Sequence, residues 1–282
     1  MTSVKLEICE NDAARRAPLL DFAELAGYRD FLFLLVWREI HMRYRHTLIG
    51  AGWTFLNPLL TMAVFGLIVP NLVSRETLAA QTQGVPYALY VYCGLVPWTC
   101  FSHAVTRSNT CLVEQAALLK NMYFPRLMLP LSRVLAALSD LAIAFVALFL
   151  LMAILRVPPS PRIVILPFFL LVLMASSFGV GLVLAMAQVR YRDVLFAAQY
   201  AMQLGLLVTP VWFSLNALPP SVRWIVGLNP MAAVVQGFRW TVLGVDRPTG
   251  AMMATSAGVS LILVLVGLWY FGRRHETVAD YV

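Results

Sequence analysis

The sequence predicts an all-α polytopic membrane protein, and three observations carry that class. First, Asp, Glu, Lys and Arg are missing from six stretches, residues 46–74, 77–106, 141–155, 163–189, 194–222 and 248–272. Four of these exceed 25 residues, and a helix needs about 20 apolar residues to cross a hydrocarbon core about 30 Å thick. Second, hydrophobic residues make up 60% of the chain and charged ones 12%, against about 25% charged in soluble domains. Third, the basic residues gather in alternate loops, as the cytoplasmic side of a membrane protein demands.

Residues 1–27 read as a cytoplasmic N-terminal segment. The first apolar gap follows about 45 residues that include Lys5, Arg15, Arg16, Arg29, Arg38, Arg43 and Arg45. A cleaved signal peptide needs a short basic start with an apolar run straight after it, so none is expected. Residues 28–46 read as an interfacial amphipathic helix on the cytoplasmic side. Phe31, Leu34, Leu35, Arg38, Met42 and Arg45 recur at helical spacing. Arg38 and Arg45 are seven apart and share a face, while Arg43 points elsewhere. Such a helix anchors on anionic lipid, or its arginines receive a phosphorylated headgroup; both roles stay open.

Residues 47–282 form the transmembrane domain, with spans at 52–74, 86–108, 127–155, 163–188, 194–215 and 250–272. Residues 109–124 are good helix formers that stop at Pro125. Leu112, Ala116, Leu119 and Tyr123 share one face there, with Glu114 and Lys120 elsewhere. This helix either docks in a partner or merely connects. Asp140 follows Arg133 by seven residues in the third span, as a pair near the cytoplasmic end or a charged wall at the mouth of a passage. Residues 216–247 are apolar but broken by Pro219, Pro220, Gly227, Pro230, Gly237 and Gly244. They read as short re-entrant helices, with Asn229 as N-cap and Pro230 in the first turn. Irregular backbone at membrane depth needs protein or a water-filled cavity around it.

With the N-terminus inside, cytoplasmic segments hold fifteen Lys and Arg and external ones six. Both termini are therefore expected in the cytoplasm. The net charge of +7 belongs to this bias and calls for no nucleic acid. Cys9, Cys93, Cys100 and Cys111 form no Cys-x-x-Cys pair and read as small packing residues.

The two lysines, Lys5 and Lys120, sit in no Gly-x-x-x-x-Gly-Lys-Ser/Thr loop, so the chain is no P-loop ATPase. No His-Glu-x-x-His or Cys/His cluster suggests a metal. A proton-coupled carrier wants more buried carboxylates, and a membrane enzyme acting on sugars wants a convergent pair. What remains is a pore-forming or gating subunit powered from elsewhere.

The segment WREIHMRYRHTLIGAGWTFLNPLLTMAVFGLI resembles the membrane subunits of bacterial ABC exporters of polysaccharides and polyol phosphates, the O-antigen or lipopolysaccharide exporters above all. Further matches are LLKNMYFPRLMLPLSRVLAAL, VRYRDVLFAAQYAMQLGLLVTPVWFSL, LNPMAAVVQGFRWTVLG and the tail RRHETVADYV. Together they cover residues 25–282.

The resemblance implies six spans, a homodimer and two copies of a cytoplasmic ABC ATPase that binds the ATP and Mg, with no cofactor on this chain. It implies an inner-membrane location and a glycan substrate linked to undecaprenyl pyrophosphate. Residues 112–124 correspond to a coupling helix (Leu112, Glu114, Ala116, Leu119, Lys120, Tyr123). Arg190, Arg192 and Asp193 correspond to a second ATPase contact. Arg38, Arg43, Arg45 and Arg133 are the candidates to receive the substrate headgroup. Phe55, Tyr90, Trp98, Phe101, Tyr200, Trp212 and Phe213 are the candidate glycan path. The rival functions are a drug-type ABC exporter and a membrane enzyme acting on lipid-linked sugars.

Overall fold

The computed structural model describes residues 26–45, 52–122 and 124–274. Most of the N-terminal segment 1–27, the tail beyond Arg274 and Tyr123 of the expected docking face lie outside the described residues. Those described are helical, with no strand among them. In chain order the helices are α1 (Arg29–Tyr44), α2 (Gly52–Leu72), α3 (Arg75–Thr82), α4 (Tyr87–Glu114), α5 (Ala116–Asn121), α6 (Met128–Ile154), α7 (Leu166–Arg190), α8 (Val194–Val208), α9 (Pro220–Gly227), α10 (Pro230–Val242) and α11 (Gly250–Arg274).

The layout is built on α4. It packs between α6 and α7, and α2 and α10 cover more of it. On its other side α7 carries α11, and α1 lies against α6. Lipid tails are as apolar as leucine, so close packing and interhelical hydrogen bonds must hold such a bundle. The α7–α11 seam shows both. A Cβ on Gly179 would stand 2.5 Å from the backbone of Leu263, so only glycine lets the two backbones meet. Ser176 and Ser260 hydrogen-bond across the same seam at 2.7 Å.

Among the described residues, three stretches are long and apolar enough to cross a membrane by length and composition: Met128–Ile154, Pro161–Arg190 and Gly250–Arg273. Leu56–Leu72 and Val194–Val208 are apolar but shorter. Helix α4 has 28 residues, about 42 Å at 1.5 Å per residue. From its middle onward it carries Thr99, Ser102, His103, Thr106 and Arg107. Ser108 and Asn109 on it are fully buried, so protein rather than lipid covers these polar groups.

Two elements differ from the sequence reading. The helix expected over 109–124 is not one piece: α4 runs through to Glu114, breaks at Gln115, and α5 follows. Nothing between Ser108 and Glu114 stops a helix. The span expected over 194–215 ends as a helix at Val208, because Pro210 cannot donate to an advancing helix. The Asn229 cap is present, its Oδ1 accepting the Met231 amide at 3.0 Å.

Candidate functional site

The first assembly lies where α1, α4 and α6 meet. Phe31 packs on Phe124, centroids 5.0 Å apart, and Leu35 is buried with Cys111, Leu112 and Met128. This apolar stripe turns the polar face of α1 toward α4 and α6. Glu39 there accepts from Arg133, lies 3.4 Å from Arg107 and 3.8 Å from Arg43. Asp140 pairs with Arg43, and His103 Nδ1 lies 3.5 Å from it. Arg133 also donates to Glu114 at 3.0 Å. Among the described residues, three arginines thus meet three carboxylates. Arg38 donates to Gln115 Oε1 at 2.6 Å.

The pairing corrects one expectation. Arg133 and Asp140 do not pair with each other; each is taken by partners from other helices. Seven residues of helix separate their Cα atoms by about 10 Å along the axis, and groups brought up by α1 and α4 occupy each of them instead. Arg43, expected to point away from the other arginines' task, points into this cluster. Arg38 and Arg45 have no carboxylate partner among the described residues, and Arg45 is exposed.

A cleft of about 310 Å³ adjoins the cluster at His103. It runs between α2, α4 and α8, lined by Asn57, Thr61, Trp98, Thr99, Ser102, Thr106, Gln199 and Gln203 among others. These hydroxyls and amides share the cleft with Trp98 and the apolar Pro58, Leu95, Met202 and Leu206, and its size is at the lower end of ligand sites (about 300–1,000 Å³).

A second ionic centre lies at the start of α4, which sequence reasoning missed. Arg239 is fully buried. It donates to the carbonyls of Tyr90 (3.2 Å), Pro210 (2.8 Å) and Val211 (2.5 Å), and stacks 3.6 Å from the Tyr90 ring centre. Asp246 lies 3.6 Å from it and accepts from the hydroxyls of Tyr90 and, at 2.9 Å, Ser214. A Cβ at Gly94 would stand 2.7 Å from Arg239 Nη2, so the missing side chain makes the room. The non-helical stretch after α8 therefore has its carbonyls satisfied by protein.

The family profile for ABC-2 type transporters matches residues 31–243. The chain belongs to that family. Its O-antigen relatives align along nearly their whole length. The O-antigen export system permease protein RfbA of Myxococcus xanthus is 28% identical over 260 residues, covering 91% of this chain and 97% of its own. Two proteins of that name from Klebsiella pneumoniae are 23% and 25% identical, each covering 89% of this chain and 94% of theirs.

In this ABC-2 chain the remaining predicted residues fall as follows. Leu112 is fully buried, Ala116 and Leu119 are half-buried, and Lys120 is exposed. Half of the Glu114 side chain is exposed while it holds Arg133. Arg190, Arg192 and Asp193 are exposed at the α7–α8 junction. Among the aromatics, Trp98 lines the cleft, with Phe101 beside it at 5.6 Å. Tyr90 is buried within the chain and bound to Asp246. Tyr200 is exposed. Trp212 stacks on Phe65 at 3.6 Å, and Phe213 is half-buried. The side chain of Phe55 lies outside the described residues.

Proposed function

We propose that this chain is the channel-forming permease subunit of an ATP-driven exporter. It moves an O-antigen-like polysaccharide on undecaprenyl pyrophosphate from cytoplasm to periplasm. The observation that carries this reading is the near full-length match to three O-antigen export permeases. Two copies form the passage in the inner membrane, and two ATPase subunits supply the energy. The six apolar stretches are six spans, with α4 crossing inside the protein and α9 and α10 re-entering from the outside. Helix α5 and the Arg190–Asp193 junction meet the ATPase. The cleft sets hydroxyls and amides beside Trp98 and an apolar wall of Pro58, Leu95, Met202 and Leu206, so it is compatible with a sugar ring and does not by itself decide against a drug. The enzyme reading is weakened because Glu39, Asp140 and Glu114 are all engaged by arginines.

The test is export in a host deprived of its own O-antigen permease. Surface glycan should appear when this chain and its ATPase are expressed together, and with neither alone. Efflux of hydrophobic dyes without surface glycan would support the drug-type reading instead.

The same assay addresses the arginines. Arg38 and Arg45 are the pair without carboxylate partners among the described residues, so they are the candidates for a pyrophosphate. Lysine keeps the charge but loses the bidentate fork. Arg38→Lys and Arg45→Lys should each weaken substrate affinity about tenfold, one charge-assisted hydrogen bond, at normal protein levels. Arg43→Lys should act on protein level, through Asp140, and spare export per molecule. Normal export by both Arg38→Lys and Arg45→Lys would leave these arginines as lipid anchors.

Orientation is tested separately. An impermeant thiol reagent on intact spheroplasts should label a cysteine placed at Gln81 and spare one at Thr277. The reverse pattern inverts the topology.

A further inference from the structure

A second cationic patch sits at the opposite end of the molecule from Glu39. Helix α6 begins beside Arg133 and runs to Ile154, about 30 Å further along its axis. The chain then turns back, and the Ser160 amide donates to the Val242 carbonyl at 2.9 Å. That tie holds Arg162 against the turn that follows α10. Arg162 Nη1 donates to the Gly244 carbonyl at 3.2 Å, and its guanidinium lies 5.8 Å from the Trp240 ring centre. Arg247 approaches the same ring at 5.6 Å. The two guanidinium carbons are therefore at most about 11 Å apart.

Both arginines are exposed, and neither has a carboxylate partner among the described residues. The neighbouring acid, Asp246, is buried and held by Arg239, Tyr90 and Ser214. Two like charges are thus gathered on one indole with no counter-ion among the described residues. Beside them begins an apolar surface: Val164, Phe168 and Leu171 are 81%, 39% and 70% exposed. Phe168 and Leu171 are three residues apart on one face of α7. A tryptophan flanked by arginines at the end of an apolar helix is the composition of a headgroup layer.

We propose that Arg162, Trp240 and Arg247 bind the phosphate of an anionic lipid headgroup, with an acyl chain along Val164, Phe168 and Leu171. Guanidinium forks match phosphate oxygens, while the Gly244 carbonyl holds Arg162 in place. The site involves none of the N-terminal arginines, so it stands independently of how the exported substrate is received.

The experiment uses the purified full-length chain in detergent with added phosphatidylglycerol, and native mass spectrometry to count retained lipid. Wild-type protein should keep bound phosphatidylglycerol. Arg162→Gln and Arg247→Gln should each lower retention about fivefold, the worth of one arginine near an anionic surface, and the double variant more. Arg223→Gln is the control, since Arg162 and Arg247 are the arginines on the Trp240 ring while Arg223 is held at the carbonyls of Asn216 and Leu218, and it should retain lipid as wild type does. Leu171→Ser should lower retention too, and inorganic pyrophosphate should compete poorly because it lacks an acyl chain. Wild-type retention in the double glutamine variant overturns the site. Pyrophosphate binding that equals the lipid's, with Leu171→Ser without effect, overturns the lipid assignment in favour of a free phosphate.

Discussion

Asp246→Ala is expected to destabilise the folded chain by about 3–5 kcal/mol, the cost of leaving a buried charge without its partner. Arg239 would keep its full charge in a site with no exposure. The hydroxyls of Tyr90 and Ser214 would lose their acceptor at the same time. Arg239→Ala should cost at least as much, because it also strips the donors from the carbonyls of Tyr90, Pro210 and Val211. Buried within the protein, these carbonyls would be left without a partner. The measurements are the unfolding midpoint in detergent and the amount of protein in the membrane. Replacing both charges with apolar residues of similar volume, Arg239→Met with Asp246→Leu, should recover part of the loss, since such swaps are often near neutral. Wild-type midpoints in both single variants would show that the centre contributes nothing.

This centre shows where sequence reading stopped. Charge gaps located the apolar helices because a bilayer penalises charge so strongly. The same logic counted Arg239 only as one of the six external basic residues, yet it is among the most buried side chains of the described residues. The signal was present: Arg239 and Asp246 are seven apart in an otherwise apolar stretch, and an ionisable residue in such surroundings calls for a named partner. What the sequence could not supply was the rest of the cage. Tyr90 and Ser214 come from segments 149 and 25 residues away from Arg239, and only the fold brings them together.

The inner cluster was legible in kind and not in pairing. The sequence offered Arg38, Arg43, Arg45 and Arg133 as a basic rim, and all of the described ones except Arg45 lie at the α1–α4–α6 junction. Periodicity within one helix says which residues share a face, but not which face meets another helix. The apolar stripe of Phe31 and Leu35 settles that, and it brings Glu39 over Arg133. The cleft was foreshadowed by a single residue, Trp98. Its other walls come from α2 and α8, whose approach no local pattern encodes.

Glu39→Gln is the second large effect. The substitution keeps the size of the side chain, removes one charge and turns one of the two oxygens that face Arg43, Arg107 and Arg133 into an N–H donor. The balance of Arg43, Arg107 and Arg133 against Glu39, Asp140 and Glu114 then shifts by one positive charge. Glu39 is 16% exposed and Arg133 9%, so the loss falls between the 0–1 kcal/mol of surface pairs and the 3–5 kcal/mol of buried ones, at about 2 kcal/mol. It should loosen α1 from α6. It should also disturb Arg38, which reaches Gln115 at the break between α4 and α5 from the same helix. The unfolding midpoint should fall, and export should fall further than protein level alone explains, because the break faces the proposed ATPase contact. A double-mutant cycle of Glu39→Gln with Arg133→Gln separates a direct pair from a general loosening. Residues in one ionic network couple by about 0.5–3 kcal/mol, whereas independent sites add to within about 0.5 kcal/mol. Coupling above that limit would tie the effect to this bond. Additive losses would mean that α1 is held by its apolar stripe, with Glu39 merely neutralising charge around it.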